Sequence, residues 1–254
     1  MGLLMKNLYR IGQIVPSSNV TMETEIPAML AARQLIRPER FTFHSSRMRM
    51  RTVSKDELSH MDTESDRCAI ELSDAQVDVL GYACLVAIMA QGPGYHRESE
   101  ARLRAKTRSN GFDSPVVTSA GALVDGLKLM GARRITLVAP YMKPLTQLVV
   151  DYIQSEGIDV IDWTALEIPD NLDVARHDPH NLPGVIRDLR TDDADVVVLS
   201  ACVQMPSLPV VPLVEAQTRK PVVTAAIATT YALLKALDLE TIVPGAGSLL
   251  SGAY

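Results

Sequence analysis

Val77-Asp-Val-Leu-Gly-Tyr-Ala-Cys84 and Asp195-Val-Val-Val-Leu-Ser-Ala-Cys202 decide how this chain reads. Each is a short apolar run that stops at Ala-Cys and enters a segment rich in Gly or Pro. Runs of this length bounded by turn residues read as strands buried on both faces. In an open parallel sheet, ligands gather in the loops that follow the carboxyl ends of the strands. Two matching units would therefore aim two thiols into one cleft from opposite sides.

Outward from these runs, strand and helix alternate. The apolar pattern predicts strands over residues 10–15, 41–46, 77–83, 116–118, 134–139, 159–163, 195–199 and 222–224. Three-to-four-residue apolar spacing predicts helices over 22–35, 121–130, 144–156, 183–189, 208–218 and 227–237. Two more are expected, one from the capping box Ser54-Lys-Asp-Glu57 and one after Glu98. Pro144 suits a first helical position, and Gly131 and Gly157 read as C-terminal stops. Such alternation implies parallel sheets with helices on both faces, an α/β fold.

The pattern repeats. Ile11-Gly-Gln-Ile-Val-Pro16 matches Ile135-Thr-Leu-Val-Ala-Pro140. The two prolines stand 124 residues apart and the two cysteines 118 apart, in the same order. The expectation is two pseudo-symmetric parallel-sheet domains with the active site in the cleft between them. Residues 1–118 with 227–254 would form the first half, the last helix folding back, and 119–226 the second.

Composition narrows the class. The 254 residues are 47% hydrophobic and 22% charged, with a net charge of −5, ordinary for a globular protein and unlike a nucleic-acid binder. The basic cluster Arg47-Met-Arg-Met-Arg51 reads as a solvated face. No apolar run is long enough to span a membrane. Met1-Gly-Leu-Leu-Met-Lys6 lacks the features of a secretory signal, and Lys6 spoils a myristoylation motif. Three cysteines without a signal suggest free thiols in a reduced cytoplasm. No Cys/His spacing suggests a metal site, and no phosphate-binding glycine motif follows the first strand, so no cofactor is expected.

Cys84 and Cys202 are the candidate catalytic residues. Cys202 lies before Pro206-Ser207 and a helix, which would lower its pKa. Cys68, among Ala69, Ile70 and Leu72 of a predicted helix, reads as core packing. Asn19 suits either a helix cap or an amide donor in the cleft. Tyr141 holds the equivalent place in the second half, and Asn171 follows that half's second strand as a turn residue or a donor. His96 follows Gly92-Pro-Gly94, and this loop over residues 89–97 is a candidate lid.

The chain resembles the aspartate/glutamate racemase superfamily and, within it, the maleate cis-trans isomerases. The resemblance runs over nearly the whole length. It is carried by Val15-Pro-Ser-Ser-Asn19, Gly81-Tyr-Ala-Cys84, Thr118-Ser-Ala120, the run from Gly131 to Tyr141, Asp170-Asn171, Ser200-Ala-Cys202 and Lys220-Pro-Val-Val-Thr224. The related arylmalonate decarboxylases keep only the second-half cysteine, so Cys84 argues against decarboxylation. The resemblance implies a cofactor-independent enzyme converting maleate to fumarate through a covalent succinyl-cysteine adduct. Cys84 would be the nucleophile and Cys202 the proton donor and acceptor. Asn19, Tyr141 and Asn171 would hold the carboxylates, with backbone N–H donors at Leu85, Val86, Val203 and Gln204. It also implies a homo-oligomer, dimer or tetramer, and a route that opens pyridine rings, such as nicotinate degradation. Two other readings remain open: an amino-acid racemase exchanging a Cα proton between two thiols, and a non-catalytic small-ligand binding module.

Overall fold

In a computed structural model, which describes residues 7–50 and 55–254, two four-stranded sheets carry the chain. In chain order the elements up to the first sheet's last strand and its following helix are β1 (Leu8–Pro16), α1 (Met22–Arg33), β2 (Arg40–Met48), α2 (Lys55–Asp74), β3 (Val79–Tyr82), α3 (Leu85–Met89), α4 (Tyr95–Ser109), β4 (Val116–Thr118) and α5 (Ser119–Leu129). They continue with β5 (Arg134–Ala139), α6 (Lys143–Ser155), β6 (Asp159–Ala165), α7 (Asn171–Ala175), α8 (Leu182–Arg187), β7 (Val196–Ser200), α9 (Val211–Thr218), β8 (Val222–Thr224) and α10 (Ala225–Ala236).

The sheets have the same plan. The strand orders are β2-β1-β3-β4 and β6-β5-β7-β8, and every pairing is parallel. The duplication is thus a repeat of topology as well as of motif. All eight predicted strands form; the edge strands β2 and β6 are only partly buried. β3 and β7 are buried throughout, as parallel strands between helix layers must be. Register brings the strand ends level: Pro16 pairs with Met48, Ile14 with Tyr82, Tyr82 with Thr118, and Ser200 with Thr224. The loops that follow therefore open on one edge of each sheet.

The helix ends show a second signature of the repeat. Thr118 Oγ1 accepts the Gly121 N–H at 3.0 Å, and Thr224 Oγ1 accepts the Ile227 N–H at 3.1 Å. Each strand thus passes straight into a helix capped by its own last residue, two residues earlier than the apolar spacing predicts. α10 packs along α5 and touches α1, β3 and β4 as well as β8. Gly131 and Gly157 take positive φ, 71° and 86°, ending their helices as expected.

Four local expectations change. Residues 208–218 divide into a 3-10 turn and α9, because Pro209 and Pro212 each lack an N–H. The Asn171 segment is a short helix, with Asp170 accepting the N–H groups of Leu172 and Asp173 at 2.8 and 3.1 Å. α4 begins at Tyr95, ahead of Glu98. A short helix, α3, leaves directly from Cys84. The expectations at Met1–Lys6 and Arg51, and the Ser54 end of the capping box, lie outside the described residues. Among the described residues, no helix is long and apolar enough to cross a membrane.

Candidate active site

β1 ends at Pro16, and the chain turns through Ser17 to Asn19, whose N–H returns to the Pro16 carbonyl at 2.9 Å. Asn19 Oδ1 accepts the Met22 N–H at 3.1 Å and so caps α1. With that oxygen occupied, the side chain presents its NH₂ group, a donor. Arg47 braces the turn, donating to the carbonyls of Ser17 and Asn19 at 3.2 and 3.0 Å while pairing with Glu23. The basic cluster is therefore more than a solvated face: its first arginine supports the Asn19 loop.

Cys84 follows β3 in the left-handed region, at φ 82° and ψ 68°. This conformation costs a residue bearing a Cβ on the order of 1–3 kcal/mol and clusters at functional sites. It turns the chain sharply from strand into α3. Burial is the largest influence on the Cys84 thiol and pushes its pKa up to about 12; the Ala87 N–H opposes this, and Cys202 adds to it. Burial also raises the Cys202 pKa, against the Tyr141 hydroxyl and the N–H groups of Gln204 and Met205. The Gln204 N–H lies 3.4 Å from Cys202 Sγ. The lowered pKa expected for Cys202 is therefore not found, because removal from water outweighs the surrounding donors.

Tyr141, just beyond β5, is buried and donates to the Ala201 carbonyl at 3.2 Å, within reach of the Cys202 thiol. Burial first, then the two cysteines, push its phenol well above the ordinary range, so it remains an O–H donor. Asn171 Nδ2 donates to Ser18 Oγ at 2.7 Å.

All nine residues expected at the site line one pocket of about 320 Å³, mouth included: Cys84, Cys202, Asn19, Tyr141, Asn171, Leu85, Val86, Val203 and Gln204. Pro16 and Met50 complete the wall. Pro16 already marks the repeat, and Met50 lies just past the carboxyl end of β2, where the rule for open sheets would have placed it. Among the described residues, no Asp, Glu, Lys or Arg lines this pocket. It pairs two thiols with neutral donors in an apolar enclosure, suited to holding a small anion while a proton and a sulfur bond are exchanged.

His96 and the Gly92–Gly94 loop are not part of this wall. α3 carries the chain away from Cys84, so Gly92 and Pro93 border a separate groove against Leu148, Asp151 and Tyr152 of α6. His96 is buried against Tyr152. Cys68 is fully buried in α2, as expected for core packing. Among the described residues, no group of His, Cys, Asp and Glu is placed to hold a metal ion.

Two matched parallel sheets with a thiol at the end of each third strand define the aspartate/glutamate racemase-like architecture. Residues 11–250 match the family model described as arylmalonate decarboxylase. A maleate isomerase of Pseudomonas putida is 74% identical over 250 residues, 98% of this chain and all of that one. The crystal structure of a Pseudomonas putida maleate isomerase variant with maleate is 67% identical, with a TM-score of 0.96 over 97% of this chain and 99% of that one. A Nocardia farcinica maleate cis-trans isomerase mutant with a covalently bound succinylcysteine intermediate is 44% identical, with a TM-score of 0.93 over 97% of this chain and all of that one. The chain belongs to the family that this model describes, on the branch of the maleate isomerases.

Proposed function

We propose that the protein is a cofactor-independent maleate isomerase that works through its two buried thiols. The observation that carries this reading is the pocket wall, which pairs two cysteines with neutral donors and, among the described residues, has no charged side chain. Cys84 as thiolate adds to one alkene carbon of maleate, forming the C–S bond as the π bond breaks. The electron pair left on the neighbouring carbon takes the proton of Cys202. The central bond is now single and rotates. Cys202 then removes a proton, the double bond re-forms as fumarate and Cys84 leaves.

The charge ends on Cys202 in the adduct. That is where the donors stand: the N–H groups of Gln204 and Met205, with the Tyr141 hydroxyl able to turn from the Ala201 carbonyl to the sulfur, against the Ala87 N–H at Cys84. Donors placed where charge develops favour the adduct over the separated state. This asymmetry supports Cys84 as nucleophile and Cys202 as acid and base. Asn19, Tyr141 and Asn171 hold the carboxylates, with backbone donors at Leu85, Val86, Val203 and Gln204.

An amino-acid racemase would need a carboxylate for the substrate ammonium. Among the described residues none lines the pocket, and Asp170 is committed to capping α7. A passive binding module would have no use for the strained backbone at Cys84. The reading extends to a reduced, cytoplasmic setting, supported by three free thiols. It also extends to a homo-oligomer, to a pyridine-degrading route supplying maleate, and to residues 1–118 with 227–254 as the first structural unit.

Proton NMR of the pure protein with maleate in deuterated buffer, without added cofactor, tests the reading. Fumarate is the expected product. Deuterium exchange at the Cα of aspartate or glutamate without fumarate would establish the racemase instead.

A further inference from the structure

Gln204 is the most heavily bonded side chain of the pocket, and three of its four hydrogen bonds cross the cleft. Its Oε1 accepts the N–H groups of Val20 at 2.9 Å and Thr21 at 3.3 Å. Its Nε2 donates to the carbonyls of Ser18 and Asn171, both at 2.8 Å. The residue is 2% exposed. Its own N–H faces Cys202 Sγ. One side chain of the second half thus grips the first-half loop on both sides of Asn19, at Ser18 and at Val20–Thr21. The same amide grips the backbone of Asn171.

We infer that the Gln204 side chain is a positioning residue, which sets the distance between the two amide-bearing loops and ties that distance to the Cys202 loop. The inference rests on the isomerase reading and goes beyond backbone donation. A planar amide satisfies four partners in fixed directions. An apolar side chain of equal length would satisfy none, leaving two buried N–H groups and two carbonyls to find other partners. Asn19 and Asn171 would then lose their shared frame. A displacement on the order of 1 Å in a positioning group costs about 10²-fold in rate.

The test compares wild type with Gln204→Met and Gln204→Glu in the maleate assay, alongside alkylation of the thiols by iodoacetamide. Gln204→Met is expected to lower kcat/KM by about 30–100-fold, while the uncharged reagent, which needs no carboxylate site, alkylates Cys84 and Cys202 at wild-type rates. Gln204→Glu keeps the accepting oxygen, and its buried carboxyl retains one donor only when neutral. Its rate relative to wild type is expected to rise as pH falls. Cys84, Cys202 and Tyr141 in the pocket, Arg47 and Glu23 behind the Asn19 loop, Glu25 on α1 and Asp170 beside Asn171 are common to both proteins and cancel in that ratio.

Wild-type kcat/KM in Gln204→Met would overturn the inference. So would a parallel loss of alkylation, which would mean general collapse of the pocket, or a flat pH ratio for Gln204→Glu. If wild type itself forms no fumarate, the functional reading fails and the inference falls with it. If wild type turns over and Gln204→Met matches it, only the inference falls.

Discussion

The hydroxyl of Tyr152 meets His96 twice, accepting its backbone N–H at 3.2 Å and lying 2.5 Å from its ring Nδ1. This joins α4 of the first half to α6 of the second. The hydroxyl, with one proton and two lone pairs, can serve the backbone N–H and Nδ1 together in either ring tautomer. Among the described residues, Nε2 is buried without a partner. Burial, reinforced by Arg97, lowers the His96 pKa below the ordinary 6.5. The unfolded chain therefore binds this proton more readily than the folded one, and stability is lost as pH falls through and below 6.5. The urea midpoint is expected to drop with acidification in wild type, and the drop is expected to shrink in His96→Gln. Identical pH dependences would refute this account.

The two thiols are predicted to fail differently. Cys84→Ala has no nucleophile, so it should form neither fumarate nor adduct. Cys202→Ser retains the nucleophile but has a poorer acid and base, a role worth about 10²–10⁴-fold. Its intact mass after incubation with maleate should show addition of one maleic acid at Cys84. An adduct on Cys202 in Cys84→Ala would reverse the roles.

The rate should rise with pH. The active form is one thiolate and one thiol, and burial raises both pKa values, that of Cys84 to about 12. Raising the pH therefore populates the monoanionic pair without yet reaching the dianion. Across about pH 7 to 9, kcat/KM should climb without a descending limb. A bell centred near neutrality would mean that a thiol pKa is depressed.

Glu25 on α1 accepts the N–H groups of Ser207 and Leu208 at 2.6 and 2.7 Å, a second tie between the halves. Burial raises its pKa against those two hydrogen bonds. With the folded pKa above the ordinary 4.5, stability declines as pH rises through that range, because the ionised form is disfavoured in the fold. Glu25→Gln keeps the accepting oxygen and removes the charge. It should melt above wild type at neutral pH, with the advantage vanishing in acid. A lower melting temperature at neutral pH would show that the charge strengthens the two bonds by more than its burial costs.

Asn171→Arg tests whether neutral donors are needed for rotation. A bidentate guanidinium would fix one carboxylate in a rigid fork. The expected result is tighter maleate binding with kcat reduced by about 10²-fold, in line with the cost of misplacing a group by about 1 Å. Unchanged turnover would remove rotation as the reason for the amide.

The strands, the repeat and the placing of the two thiols at matching strand ends are legible in the chain, whereas Met50 in the pocket wall was not expected. The legible features follow from patterning that is local: the central strands are β-branched runs buried on both faces, and ligands gather at the loops after their carboxyl ends. Chain order places Cys84 and Cys202 at matching strand ends, and the family resemblance adds Asn19, Tyr141 and Asn171 as their companions. Only the tertiary structure decided the chemistry of those groups. The raised thiol pKa values depend on how completely packing excludes water, which no spacing encodes. The Gln204 clamp joins residues more than 180 positions apart, and the left-handed turn at Cys84 points α3 and the Gly92–Gly94 loop away from the pocket. His96 sits beside the same motif in the sequence but is buried against α6, because the direction of a helix after a strand is set by what it packs against.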